Sequence, residues 1–266
     1  MFEKHTPCSS DSEISGPACL ASPGKARPWG RVAAILGILG ALLLAYGQWA
    51  LFQPAISGQS QTDILQRLFY LHLPLAWWSF LAFFLVFVFS IVFLFRKKDL
   101  WDGLAHSFAK TGFLYLTLTI ITGSLWAKKA WGHWWIWEPR LTTAAVMWFV
   151  YALYLAVRLA GPGGGRVAVG AAVLGIIAFL DVPLVFFSTR LWGSVHPVVF
   201  ATSSGGVSAA VMSELLIFMA AFGLLLCGLT AMACENILFS RTLEQIAETG
   251  RSGLVTGNGS AEGQGR

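Results

Sequence analysis

The chain has 266 residues, 56% hydrophobic and only 12% charged, with a formal net charge of +5. A soluble domain of this length carries about twice that share of charge, so the composition excludes an ordinary soluble fold. The positive charge sits beside long apolar runs, not on a basic stripe with interleaved aromatics, which argues against nucleic acid as a partner.

Residues 1–28 are rich in Ser, Pro and Gly and read as a disordered tail. The first apolar run, about 32–52, is too long for a signal-peptide core and lacks a clear cleavage site, so it reads as a retained span. Further runs follow at about 73–95, 108–127, 141–159, 167–187 and 207–233, each near the 20 residues a membrane crossing needs. The expected fold is all-α, with six transmembrane helices. The expected organisation is a cytoplasmic tail over 1–30, a membrane domain over 31–235 and a cytoplasmic C-terminal tail over 236–266.

Orientation follows from the basic residues. With the N-terminus in the cytoplasm, the inner segments hold thirteen: Lys4, Lys25, Arg27, Arg31, Arg96, Lys97, Lys98, Lys110, Arg158, Arg166, Arg241, Arg251 and Arg266. The outer segments hold five, namely Arg67, Lys128, Lys129, Arg140 and Arg190. The positive-inside rule then puts both termini in the cytoplasm, with Arg96-Lys97-Lys98 as the clearest anchor. The four cysteines, Cys8, Cys19, Cys227 and Cys234, form no CxxC pair and read as tail thiols or small apolar fillers.

Unusual chemistry gathers in the three outer segments, about 53–72, 128–140 and 188–206. The segment Trp131-Gly132-His133-Trp134-Trp135-Ile136-Trp137-Glu138-Pro139-Arg140 packs four tryptophans into seven residues. An interfacial aromatic belt accounts for one or two tryptophans per helix end. Four in one loop suit a platform for a flat, amphipathic ligand, because planar rings offer wide contact and an indole N–H reaches a polar edge.

Two histidines flank this loop at the same membrane depth. His72 lies in Tyr70-Leu71-His72-Leu73-Pro74 and His196 in Val195-His196-Pro197. Each reads either as a satisfied polar group or as an axial ligand of haem iron, a common use of imidazole. His133 is a third candidate, whereas His106 and His5 read as structural. Arg140 and Arg190 run against the positive-inside trend and are candidates for pairing with carboxylates such as haem propionates. Lys128 and Lys129 read as headgroup contacts. Asp181 and Glu214 fall inside apolar runs, where a carboxylate signals function. For both, pocket structure and proton transfer stand as the two readings.

These residues carry a resemblance. Trp131–Arg140 resembles the Trp-rich "WWD" signature of the haem-handling superfamily of cytochrome c maturation. Tyr70–Pro74, the six spans, and Asp181–Ser188 leading to Val195-His196-Pro197 resemble its CcmC branch, over about 30–235. The resemblance implies a protein that is not an enzyme, sits in the bacterial inner membrane and holds haem b at the periplasmic face. It further implies delivery to the haem chaperone CcmE, with the ABC-transporter subunits CcmA and CcmB and the small protein CcmD as partners. On this likeness His72 and His196 are the iron ligands, and Trp131, Gly132, Trp134, Trp135 and Trp137 form the platform. Glu138 stands where the signature has Asp, keeping the charge on a longer arm. His133 occupies a position that is usually not histidine, and the N-terminal tail is longer than in the branch.

Three other classes compete. A CcsA-type synthetase shares the Trp signature but adds histidines inside the spans. A cytochrome b needs facing histidine pairs within the bilayer. A transporter built on inverted repeats has broken helices. The chain shows none of these patterns.

Overall fold

The computed structural model describes residues 28–53, 64–160, 165–192 and 209–261. His196 lies outside the described residues, as do most of the N-terminal tail and parts of the first and last outer segments. The described residues are helical apart from short turns, and no strand occurs among them.

Among the described residues seven helices follow in order: α1 (Pro28–Ala50), α2 (Ile64–Arg96), α3 (Asp99–Trp131), α4 (Pro139–Ala160), α5 (Gly165–Phe179), α6 (Asp181–Leu191) and α7 (Ala209–Ala261). They make six segments long and apolar enough to cross a membrane, because α5 and α6 together supply the fifth, Gly165–Ser188. The protein is thus a multi-pass membrane protein. Residues 29–238 form one compact unit, and the described residues that follow it, 239–261, are helical.

α2 and α3 are each 33 residues long. At 1.5 Å per residue that is about 50 Å, well beyond the roughly 30 Å of bilayer hydrocarbon. Both helices therefore begin or end some nine residues outside their apolar runs, at 64 against 73 and at 99 against 108. They form an antiparallel hairpin turned at Lys97, which takes a left-handed φ of 52° while its N–H bonds to the Phe93 carbonyl at 2.8 Å.

α4 shows a two-faced pattern. Arg140, Ala144, Met147, Tyr151, Tyr154 and Arg158 recur at steps of four and three, so they share one stripe. Met147, Tyr151 and Tyr154 are fully buried on it, and Tyr151 stacks on Phe83 of α2 with ring centroids 3.6 Å apart. At the end of this stripe away from the Trp loop, Arg158 grips Asp102 of α3 with two charge-assisted bonds of 2.6 and 3.0 Å. The pair is almost fully buried, with side-chain exposures of 4% and 1%.

Between helices, polar bonds replace the hydrophobic drive that lipid cannot supply. Trp78 Nε1 donates to the Met219 carbonyl at 2.8 Å, and Tyr115 Oη donates to the Phe222 carbonyl at 2.9 Å. Thr111 and Thr230 share a hydroxyl–hydroxyl bond of 2.8 Å, and Trp148 Nε1 donates to Thr117 Oγ1 at 2.9 Å. α1 and α7 meet backbone to backbone. A Cβ built on Gly228 would lie 2.7 Å from the Gly37 nitrogen, so only glycine allows that approach.

Candidate functional site: an aromatic pocket beside the Trp loop

α3 ends at Gly132, whose φ of 81° is the left-handed conformation that closes a helix. Its N–H bonds to the Lys128 carbonyl at 3.1 Å. Lys128 reaches back to the Gly132 carbonyl at 2.9 Å and lies 5.9 Å from the centroid of the Trp134 ring. The lysine read as a headgroup contact thus also ties down the start of the Trp loop. α4 opens at Pro139, a good first helical residue because its fixed φ suits the helix and its missing N–H is not needed. The Glu138 carbonyl receives the Thr142 N–H at 2.9 Å, which makes Glu138 the cap position. The loop is therefore fixed at both ends.

Between these ends the tryptophans divide. Trp131 and Trp135 line a pocket together with His72, Arg140, Trp77, Trp126 and Phe186. Trp134 and Trp137 do not line it and are 57% and 78% exposed. The single four-ring platform expected from the sequence is thus, in the described residues, two inward and two outward rings. Gly132 and Glu138 shape the loop without lining the pocket, and His133 is exposed outside it. Trp126, 5.1 Å from Trp131 and edge-on to it, was missed by the sequence reading although it lies five residues upstream on the same helix end.

The pocket encloses about 170 Å³ and is walled by α2, α3, α4, α6 and the Trp loop. Its walls are mostly apolar, with a few polar groups. Trp135 Nε1 is buried and has no hydrogen-bond partner among the described residues. His72 faces α3, its Nδ1 lying 3.1 Å from the Thr119 carbonyl and 3.2 Å from Thr122 Oγ1. Arg140, at the start of α4, also lines the pocket and brings a guanidinium to it.

Other candidates fall elsewhere. Arg190 belongs to the last turn of α6, and its side chain lies outside the described residues, as does all of His196. Asp181 sits at the α5–α6 junction, one turn below the pocket residue Val185, and its Oδ2 is buried with no hydrogen-bond partner among the described residues. Glu214 is 4% exposed on α7 and is not part of the pocket wall.

The fold and site define a class: a multi-pass helical membrane protein with an apolar, Trp-walled pocket that carries an imidazole and a guanidinium. The sequence matches the family model "Heme exporter protein C" (CcmC) over residues 18–248, and the chain belongs to that family. The heme exporter protein C of Bradyrhizobium diazoefficiens is 28% identical over 230 residues, 85% of this chain and 84% of that protein. That of Escherichia coli K12 is 27% identical over 218 residues, 79% of this chain and 83% of its own. A ccmC-like mitochondrial protein of cytochrome c biosynthesis from Marchantia polymorpha is 31% identical over 130 residues, covering 49% and 54% of the two chains. The chain is accordingly a membrane component of haem handling in cytochrome c biogenesis.

Proposed function

We propose that this protein holds haem b in the pocket at the outer helix ends, on the periplasmic side of the bacterial inner membrane, and hands it to the chaperone CcmE. CcmA, CcmB and CcmD are the proposed partners, and the chain acts by binding and transfer, not as an enzyme. The observation that carries the reading is the convergence of His72, Trp131, Trp135 and Arg140 on one apolar pocket. Each group suits one part of haem. Imidazole suits the iron and the aromatic walls suit the macrocycle face. Arg140 suits a propionate, and the buried Trp135 N–H suits a polar edge.

Size supports transfer as well as binding. Ligand sites that swallow a small molecule measure roughly 300–1,000 Å³. The 170 Å³ enclosed here takes only part of a macrocycle. The remainder of a bound haem would stand in the open mouth, within reach of a receiving protein.

His72 and His196 are proposed as the two axial ligands, with Arg190 as a second propionate partner. The test is the absorption spectrum of purified protein with haem. His72→Ala and His196→Ala should each shift it away from the wild-type form and abolish delivery, and added imidazole should partly restore it. His133→Ala should have the smaller effect. Loss of the haem spectrum in His133→Ala alone, with both other variants unchanged, would refute the assignment.

A further inference from the structure

We propose that the Thr119 carbonyl of α3, with Thr122 as a second acceptor, holds the His72 imidazole as the Nδ1–H tautomer, and that Gly123 is the positioning residue that seats the ring with Nε2 toward the pocket. The inference rests on the reading of His72 as an iron ligand and adds how the chain prepares that ligand before haem arrives.

The argument starts from the acceptors around Nδ1. The Thr119 carbonyl, 3.1 Å away, has no proton to give. Thr122 Oγ1, 3.2 Å away, has one, and its shortest acceptor is the Leu118 carbonyl of its own helix at 2.8 Å. With that proton engaged, Thr122 presents a lone pair to the imidazole. Both neighbours of Nδ1 are then acceptors, so Nδ1 must be the donor. A neutral imidazole has one N–H, so Nε2 carries the lone pair, which is the form that binds a metal. In the other tautomer the Nδ1 lone pair would face a carbonyl lone pair, and only Thr122 could repair this, by giving up Leu118.

Orientation comes from Gly123. A Cβ built there would stand 2.9 Å from His72 Cε1, 3.4 Å from Nδ1 and 3.9 Å from Nε2. The ring therefore rests with its Cε1 edge against the bare helix surface, which brings Nδ1 within reach of the Thr119 carbonyl. Nε2 is the ring nitrogen farther from α3. His72, Thr119 and Gly123 all line the pocket. Metal-binding histidines commonly donate their second N–H to a carbonyl, and loss of such a partner costs about 10–100-fold in affinity.

Two measurements separate the parts of the idea. Nitrogen NMR of ¹⁵N-histidine-labelled, haem-free protein in detergent, with the ring neutral, reads the tautomer directly; His72→Ala assigns the signal. The Nδ1–H form should dominate in wild type and persist in Thr122→Val, which keeps the Thr119 carbonyl and removes the one neighbouring hydroxyl able to donate to Nδ1. Titration with haemin should then show about 10–100-fold weaker binding and a displaced ligand spectrum for Gly123→Ala, whose methyl pushes the ring away from the Thr119 carbonyl. A thermal melt controls for folding. A dominant Nε2–H signal in wild type or in Thr122→Val, or Gly123→Ala indistinguishable from wild type in the haemin titration, would overturn the positioning role. A haem spectrum unchanged in His72→Ala would instead overturn the ligand reading and leave the tautomer result standing by itself.

Discussion

Gly132 joins sequence to site through one dihedral angle. Its φ of 81° is open to glycine and costs an L-residue about 1–2 kcal/mol. Gly132→Ala is therefore expected to fold, but with α3 ending differently and the loop less well held. A penalty of that size, if it falls on the loop's bound geometry, weakens haemin binding about 5–30-fold. Fluorescence titration of the purified variant checks this, and undiminished affinity would mean that the left-handed cap does not set the loop. Residue identity was the most legible part of the site. His72, Trp131, Trp135 and Arg140 stood out by composition and motif, and all four line the pocket. The direction of each ring was not legible. A loop has no fixed period, so nothing in the sequence separates the inward Trp135 from the outward Trp134 and Trp137. Thr119 and Thr122 were likewise hidden, because one contributes a backbone oxygen and the other looks like any interhelical hydroxyl.

At the scale of elements, hydropathy located all six spans but shortened α2 and α3, since apolar runs stop at the interface and helices do not. The break at Leu180 also escaped the sequence reading; there the chain tightens, with Leu180 N bonded to the Ile177 carbonyl at 3.1 Å, just before Pro183. The Asp102–Arg158 clamp was missed because its members lie 56 residues apart. Arg158 registered only as one of the inner positive charges. The clamp fixes the C-terminal end of α4 against α3, while the same stripe of α4 brings Arg140 to the pocket at the other end. Removing one partner of a buried pair leaves a charge without compensation and costs about 3–5 kcal/mol. Asp102→Asn should accordingly lower the melting temperature in detergent markedly. Asp102→Asn combined with Arg158→Met should recover much of the loss, since no buried charge remains. A double variant no better than the single one would show that the clamp's geometry matters, not its charge balance.

At the scale of the whole molecule, the remaining question is which end of the bundle faces out. Six crossings put both termini on one side, whichever side that is. The pocket lies at the end where α2 begins, α3 finishes and α4 begins, opposite the Lys97 turn. Two features argue that the turn end is cytoplasmic. Arg96, Lys97 and Lys98 cluster there, and the thirteen-to-five division of basic residues has the same sign. That excess survives even if Arg158 is set aside as paired with Asp102. The positive-inside rule acts during insertion and counts lysine and arginine near span ends, so later pairing in the folded protein does not weaken it. The pocket end would then be periplasmic, on the side where the proposed transfer to CcmE takes place. Reporter fusions test this directly. Fusions after Arg96 and after Arg166 should report cytoplasm, and a fusion at Gly193 should report periplasm. A cytoplasmic signal at Gly193 would invert the bundle, place the His72 pocket on the wrong side for delivery, and defeat the proposed direction of transfer even if haem binding itself were demonstrated.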